Sequence, residues 1–348
     1  MEVYATVSDV RMPLAAVPAH ARRAEALGFD GLLVPEAVDD GVLAALLALE
    51  HTERIRVATG VVVAFARSPM LLAQDAWALQ RLSRGRFELG LGPQVRGNVV
   101  HRFGMPWSPP APRMRDYVGA LRAVFECWQS GGELRYEGEH YRLDRMQPFF
   151  RPEPLEHPRI PIALGAVGPH MTRVAGEVAD ALLAHPTQSE PGWLRDVVRP
   201  RLAEGALSAG RSPGAVRLFA NPMTATGGSR NAVAAEREQA REVLAFTFAT
   251  PAYRAVLDHH GFGAVADELQ ALAGKGEWSA LTRLVDDDVL ERFVPSGSFE
   301  EIPDVLAQRY AGLADAIALR LPRDPADDER FAKIVAALRA ERTGAAPR

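Results

Sequence analysis

The chain has 348 residues, 47% of them hydrophobic and 24% charged, and a formal net charge of −4. This is ordinary globular composition, enough for one large α/β barrel or two medium domains, and the charge gives no electrostatic case for nucleic acid or an anionic membrane. The single Cys127 excludes an internal disulfide and a cysteine-based metal site, and no apolar run reaches the ~20 residues that span a bilayer.

In chain order, Glu2 to Ser8 reads as a short strand without a basic, signal-like start, so a cytoplasmic location is expected. Leu14 to Leu27 is a helix with Val17, Ala21, Ala24 and Leu27 on one face, ended by Gly28. Gly31 to Pro35 is a second strand, Val42 to Leu49 a helix, and Ile55 to Ala64 a third strand. Such continuous apolar runs suit parallel strands covered on both faces. Ser68-Pro69 opens a helix in cap-then-first-turn order. Phe87 to Gly92 is a fourth strand. The long Pro/Gly-rich loop of residues 93–112 exceeds an ordinary β-α connection and points to function. Arg113 to Gln129 is a helix, and Glu133 to Leu143 a small hairpin turning at Gly138. Ile160 to Leu164, a turn at Gly165 to Gly168, a helix opened by Pro169 and a run at Ala181 to Ala184 form a β-α-β unit. Pro191 to Ala209 is a helix, and Ala215 to Thr226 reads as one seventh strand. A mostly helical excursion follows, about residues 229–296. Ser298 to Ala311 is a helix, Ala314 to Leu321 an eighth strand, and Asp327 to Ala340 the last helix before a frayed tail, 341–348. Eight strands alternating with helices indicate a (β/α)8 TIM barrel, a single domain of residues 1–340 with a helical insertion after strand seven.

In a barrel the chemistry sits where strands meet their following loops. That selects Ser8 and Asp9, Glu36, Asp39 and Asp40, Thr59 to Val63, Gly92 to Arg96, Gly165 to Gly168, His185 and Thr187, and Thr224 to Gly228. Glu36 ends strand two in an apolar context, where partial burial suits a carboxylate to proton delivery. The alternative is a carboxylate bonded to barrel backbone or to an arginine. Asp39 and Asp40 precede a helix and suit N-capping. Gly60 interrupts strand three, which suggests a bulge or a close backbone approach. Gly90 and Gly92 remove two side chains from strand four, either to open the mouth or to admit a bulky neighbour. The free N–H groups and dipole at the Pro169 helix suit a phosphate. His259 and His260, in the excursion, read as surface or packing residues. No His/Asp/Glu cluster has convincing metal spacing, so no metal is expected.

Four stretches together carry a resemblance: R-L-S-R-G-R-F-E-L-G-L-G-P-Q-V-R-G-N with the loop after it, I-R-V-A-T-G-V-V-V-A, G-A-V-G-P-H-M-T-R-V-A-G-E-V-A-D-A-L-L-A-H, and T-P-A-Y-R-A-V-L-D-H-H-G-F-G. Together they resemble the luciferase-like monooxygenase superfamily, in its actinobacterial branch that uses the deazaflavin coenzyme F420. The resemblance implies a (β/α)8 barrel holding a flavin or deazaflavin across its mouth. It implies a non-prolyl cis peptide in a bulge at Gly60-Val61, behind the ring, with Thr59 beside it. It implies a phosphate at Gly165-Ala166-Val167-Gly168-Pro169, with Arg173 as a helping cation, and cofactor or substrate contacts from Gly92, Gln94 and Thr187. Relatives often carry a histidine after strand two, and this chain has none, so proton delivery falls to Glu36 by preference or to His185. The function implied is a coenzyme F420-dependent oxidoreductase transferring a hydride to or from a small-molecule substrate. A reduced-FMN monooxygenase and a non-catalytic cofactor-binding protein are the alternatives, and a homo-oligomer is expected.

Overall fold

The computed structural model describes residues 1–7 and 11–340. Eight parallel strands close into a barrel: β1 (Glu2–Thr6), β2 (Gly31–Val34), β3 (Arg56–Thr59, resuming at Val62–Val63), β4 (Phe87–Gly92), β5 (Ile162–Ala166), β6 (Ala181–Ala184), β7 (Arg217–Ala220) and β8 (Ala316–Arg320). The ring is shut by β1 pairing β8, Glu2 opposite Ala316 through Thr6 opposite Arg320. Helices α1 (Val17–Ala26), α2 (Gly41–Glu50), α3 (Pro69–Leu82), α4 (Pro110–Ser130), α5 (Pro169–Val178) and α6 (Arg199–Ser208) follow β1 to β6 around the outside. The insertion after β7 holds α7 (Arg230–Phe248), α8 (Arg254–His259), α9 (Gly263–Gly274) and α10 (Asp287–Phe293). Then come α11 (Ile302–Tyr310) and α12 (Asp328–Ala340). The fold is the expected TIM barrel.

Alternation along each strand divides the residues between two cores. Tyr4, Leu33, Ala58, Ala163, Ala181, Phe219, Ala316 and Ala318 fill the barrel interior. Residues of opposite parity, such as Val3, Val57, Leu89 and Leu164, pack on the helices. The interior residues are mostly alanine because Tyr4 and Phe219, in edge contact at 4.9 Å, occupy most of the space. Helices α5 and α6 cross at two glycines: a Cβ on Gly176 would stand 2.3 Å from the Leu202 carbonyl oxygen, and one on Gly205 2.0 Å from that of Arg173.

The N-terminal end of the barrel is closed by charge. Glu88 accepts from Tyr4 Oη at 3.1 Å and from Arg217 Nη2 at 3.2 Å, and Arg56 Nη1 stands 3.3 Å away. Glu2 pairs with Arg56 at 3.0 Å.

One strand differs from expectation. The seventh is not continuous from Ala215 to Thr226. It leaves the barrel after Ala220, where Asn221-Pro222 ends the ladder, and Ala225–Gly227 pairs instead with Ser296–Ser298 at the base of the insertion. No helix among the described residues is long and apolar enough to cross a membrane. The tail 341–348 lies outside the described residues.

Candidate active site at the C-terminal mouth of the barrel

Strand three breaks at Gly60-Val61, and the peptide bond between them is cis, where the resemblance implies it. The break costs ladder bonds that other groups restore. Gly60 N–H donates to the Val34 carbonyl at 2.7 Å. The Thr59 hydroxyl accepts from Gly90 N–H and donates to the Gly90 carbonyl, both at 2.8 Å. Thr59 is fully buried, and its hydroxyl is engaged by Gly90. Its hydroxyl substitutes for backbone pairing where β3 and β4 part.

The glycines of β4 do not open the mouth. A Cβ on Gly90 would stand 1.8 Å from the Thr59 carbonyl oxygen, and one on Gly92 2.5 Å from Val61 Cγ2. A Cβ on Gly165 of β5 would stand 3.3 Å from Val61 Cγ1. The isopropyl group of Val61 therefore lies across the mouth, and the two glycines give it room. It makes an apolar floor, accessible from outside because Val61 and the inward-facing Leu183 are only partly buried.

Beside the floor, β5 runs through buried Ala166 and half-buried Val167 into α5. Gly168 is the N-cap, extended at φ −94° and ψ 162°, with no side-chain cap and nothing within 4 Å of where a Cβ would stand. Pro169 carries no N–H, and Thr172 N–H bonds back to the Gly168 carbonyl at 3.0 Å. Among the described residues the amides of His170 and Met171 are the donors of the first turn left without a partner. Arg173 does not join them. Its guanidinium pairs with Glu177 at 3.0 Å and Glu204 at 3.3 Å, toward the other end of the helix. Long helical side chains pair at i, i+4, and Glu177 stands at that spacing.

His185 follows β6 at the mouth, in the inward parity of Ala181 and Leu183. Thr187 N–H points at its Nδ1 at 3.3 Å, and the Thr187 hydroxyl is 2.8 Å from the same nitrogen. A backbone amide only donates, so Nδ1 is the acceptor and Nε2 carries the proton of the neutral ring. Thr187 is fully buried and holds the His185 ring through Nδ1. Burial holds the imidazole neutral, with its pKa lowered to about 4. Nε2 faces Tyr253 Oη at 3.3 Å, and the two rings stack at 4.6 Å and 21°. Tyr253 comes from the insertion, 68 positions away. Sequence reasoning gives it no role, because no periodicity reports a contact at that separation.

Glu36 has the alternative environment. Its carboxylate stands 2.9 Å from Arg67 Nη1 and accepts from Val63 N–H at 3.4 Å. Arg67 also binds Asp40 at 2.6 Å, and Asp40 caps α2 through Val42 and Leu43 N–H. With Arg102 and Phe103 these residues line a rim cavity of about 350 Å³ between the loops after β2, β3 and β4. Gln94 takes a left-handed φ of 62°, which few non-glycine residues adopt, and its Oε1 accepts from Val95 N–H at 2.8 Å. His260 packs against buried Glu190 at 2.6 Å, joining the insertion to the loop after β6. Ser8 and Asp9 lie outside the described residues. Among the described residues no group of His, Cys, Asp and Glu is arranged to hold a metal.

A sequence profile of the luciferase-like monooxygenase family matches residues 2–316. The chain belongs to that family. A protein of Mycobacterium tuberculosis, itself uncharacterized, is 43% identical over 290 residues, 83% of this chain and 85% of the other. A 5,10-methylenetetrahydromethanopterin reductase of Archaeoglobus fulgidus is 29% identical over 310 residues, 85% of each. Among solved structures, the coenzyme F420 dependent tetrahydromethanopterin reductase of Methanopyrus kandleri aligns with a TM-score of 0.78 at 22% identity over 98% of both chains. An F420-dependent secondary alcohol dehydrogenase aligns at 0.72 and 18%, over 97% of this chain and 98% of the other. The FMN complex of the 3,6-diketocamphane monooxygenase component from Pseudomonas putida aligns at 0.67 and 14%, over 98% of both. At these identities the structural matches speak for the fold alone.

Proposed function

We propose that this luciferase-like protein is an oxidoreductase that uses the deazaflavin coenzyme F420 to move a hydride to or from a small organic substrate, a carbonyl/alcohol pair or an activated C=C bond. The observation that carries this is the mouth itself: an apolar floor at Val61, set against Gly92 and Gly165, with an open helix start after β5 and a neutral imidazole after β6. A planar heterocycle with a phosphorylated tail fits that surface. Support for the deazaflavin over FMN comes from sequence relatives of this chain named as methylenetetrahydromethanopterin reductases, since the tetrahydromethanopterin reductase of Methanopyrus kandleri is named as coenzyme F420 dependent.

When bound, the deazaflavin supplies or takes up the hydride. The chain's own part is placement and proton handling. Val61 backs the ring. The His170 and Met171 amides, with the dipole of α5 behind them, receive the phosphate. Gln94 braces the loop after β4 through Val95 N–H. His185, neutral at pH 7, presents Nε2–H as a hydrogen-bond donor and does not act as a cationic acid. Glu36, bound by Arg67, braces the rim between β2 and β3. A homo-oligomer is part of the same proposal, measurable by sedimentation.

Fluorescence titration of the purified protein with coenzyme F420 and with FMN tests the cofactor. Saturable F420 binding with negligible FMN binding is expected. FMN binding with no F420 binding would overturn the proposal in favour of a monooxygenase, and cofactor binding without turnover of any carbonyl, alcohol or enone would leave only a binding protein.

A further inference from the structure

We propose that Tyr253, brought to the barrel mouth by the insertion, donates the proton that accompanies hydride transfer, and that His185 is its positioning residue. This rests on the oxidoreductase proposed above, and it follows from where the hydrogens must be. Thr187 N–H occupies Nδ1 of His185, so the ring proton is on Nε2. Nε2, carrying the ring proton, stands 3.3 Å from Tyr253 Oη and can meet it only as donor. The phenol oxygen then acts as acceptor toward His185, and its own proton is left for a third atom. Among the described residues Tyr253 Oη has no other hydrogen-bond partner. Ring stacking at 4.6 Å fixes the phenol against the imidazole, and Tyr253 is partly exposed, as are Val61 and Leu183 of the floor. Burial raises the Tyr253 pKa, so the proton is present at neutral pH.

The balance for carbonyl reduction is as follows. A bound reduced deazaflavin would supply a hydride to the carbonyl carbon, and the π pair of the C=O bond would move to oxygen. That oxygen takes the Tyr253 proton, so the phenol O–H breaks as the alcohol O–H forms. The phenolate left behind accepts from His185 Nε2–H and regains a proton from water. Alcohol oxidation runs the same steps backwards. Glu36 is a poorer donor because its carboxylate is already held by Arg67 and Val63 N–H.

The first test needs no substrate and no variant of Tyr253. Nitrogen-15 NMR of the full chain without cofactor, with the His185 signal assigned by its loss in His185→Gln, should show a neutral ring protonated on Nε2 at pH 7. A ring protonated on Nδ1, or an imidazolium at that pH, would overturn the inference, because the Tyr253 proton would no longer be free. The second uses Tyr253→Phe with reduced coenzyme F420 and acetone. The expected result is a kcat lowered by ~10²–10⁴-fold with the F420 dissociation constant within twofold of the parent. A kcat within threefold of the parent overturns it, and so does a parallel loss of F420 affinity, which would mark Tyr253 as structural. If the unaltered protein binds no F420, the proposed function fails, while the NMR result still decides the hydrogen-bond direction.

Discussion

At the N-terminal end of the barrel Glu88, Glu2, Arg56, Arg217 and Tyr4 interlock, and every charge has a partner of opposite sign. At the C-terminal end the same interior carries Val61 on a floor of glycines, a neutral histidine and a tyrosine, with Glu36 and Arg67 drawn to the rim. Both ends must close the cylinder, but only the first does so with its own side chains. A buried ionic network is rigid when complete and costly when broken. An apolar floor next to a hydrogen-bonded pair leaves a surface to be completed by a ligand. The contrast explains how one barrel keeps stability and chemistry at opposite ends.

The largest effect should come from breaking the closed end. Glu88→Ala leaves Arg56 and Arg217 around a vacated, buried position with only Glu2 to share, since Glu88 is 3% exposed. We expect a loss of ~3–5 kcal/mol, read as a lowered urea midpoint, and unchanged cofactor affinity in the folded fraction. A midpoint shift worth under ~1 kcal/mol would show that Glu2, paired with both guanidinium groups, and water suffice without Glu88.

His185 gives the next effect. Histidine in the unfolded chain takes up its proton near the usual 6.5, while His185 in the folded chain does so only near 4. The unfolded state therefore binds more protons between those values. The contribution is fully present above 6.5 and is lost as pH falls through 4, up to ~3 kcal/mol. His185→Gln should flatten stability against pH across that window. Urea denaturation at pH 7 and pH 4.5 checks it, and an unchanged difference between the two would place the acid sensitivity elsewhere.

The same contrast shows what could be read from the sequence. Parallel strands buried on both faces are continuous apolar runs, so β2 to β6 are visible as such, and Asp40 and Ser68 cap their helices as local chemistry requires. The mouth is harder. Thr59 invites a ligand role, but the break at Gly60 leaves Gly90 backbone groups without partners, and Thr59 satisfies them. Gly90 and Gly92 look like vacated space until Thr59 and Val61 are placed against them. Arg173 sits one turn from the anion-receiving helix end, yet Glu177 and Glu204 turn it away. Each outcome depends on a contact between separate strands or helices, which local pattern does not contain. Tyr253 is the extreme case, since its position depends on how the whole insertion folds back.

Moving to the open end, Gly92→Ala puts a methyl 2.5 Å from Val61 Cγ2, closer than real side chains approach. Val61, in the path of that methyl, must shift. We expect destabilisation of ~1–3 kcal/mol and a larger fractional loss of F420 affinity than Glu88→Ala causes. A thermal melt and a fluorescence titration separate the two. Loss of stability with unchanged affinity would mean that Val61 is not the floor.

Glu36→Gln should have the smallest effect, and it divides the two sides of the mouth most sharply. Glutamine keeps the shape of Glu36 and still offers an oxygen to Arg67 and to Val63 N–H, while Arg67 retains Asp40 at 2.6 Å. The rim loses one charge-assisted bond, ~1 kcal/mol or less for a partly compensated site. If proton handling lies with Tyr253 and His185, kcat falls only a few-fold, far less than in Tyr253→Phe. A hundredfold loss of kcat with intact F420 affinity would reverse the assignment. The proton would then come from the β2 side of the mouth despite the ion pair with Arg67, and Tyr253 would be a wall of the site and not its acid.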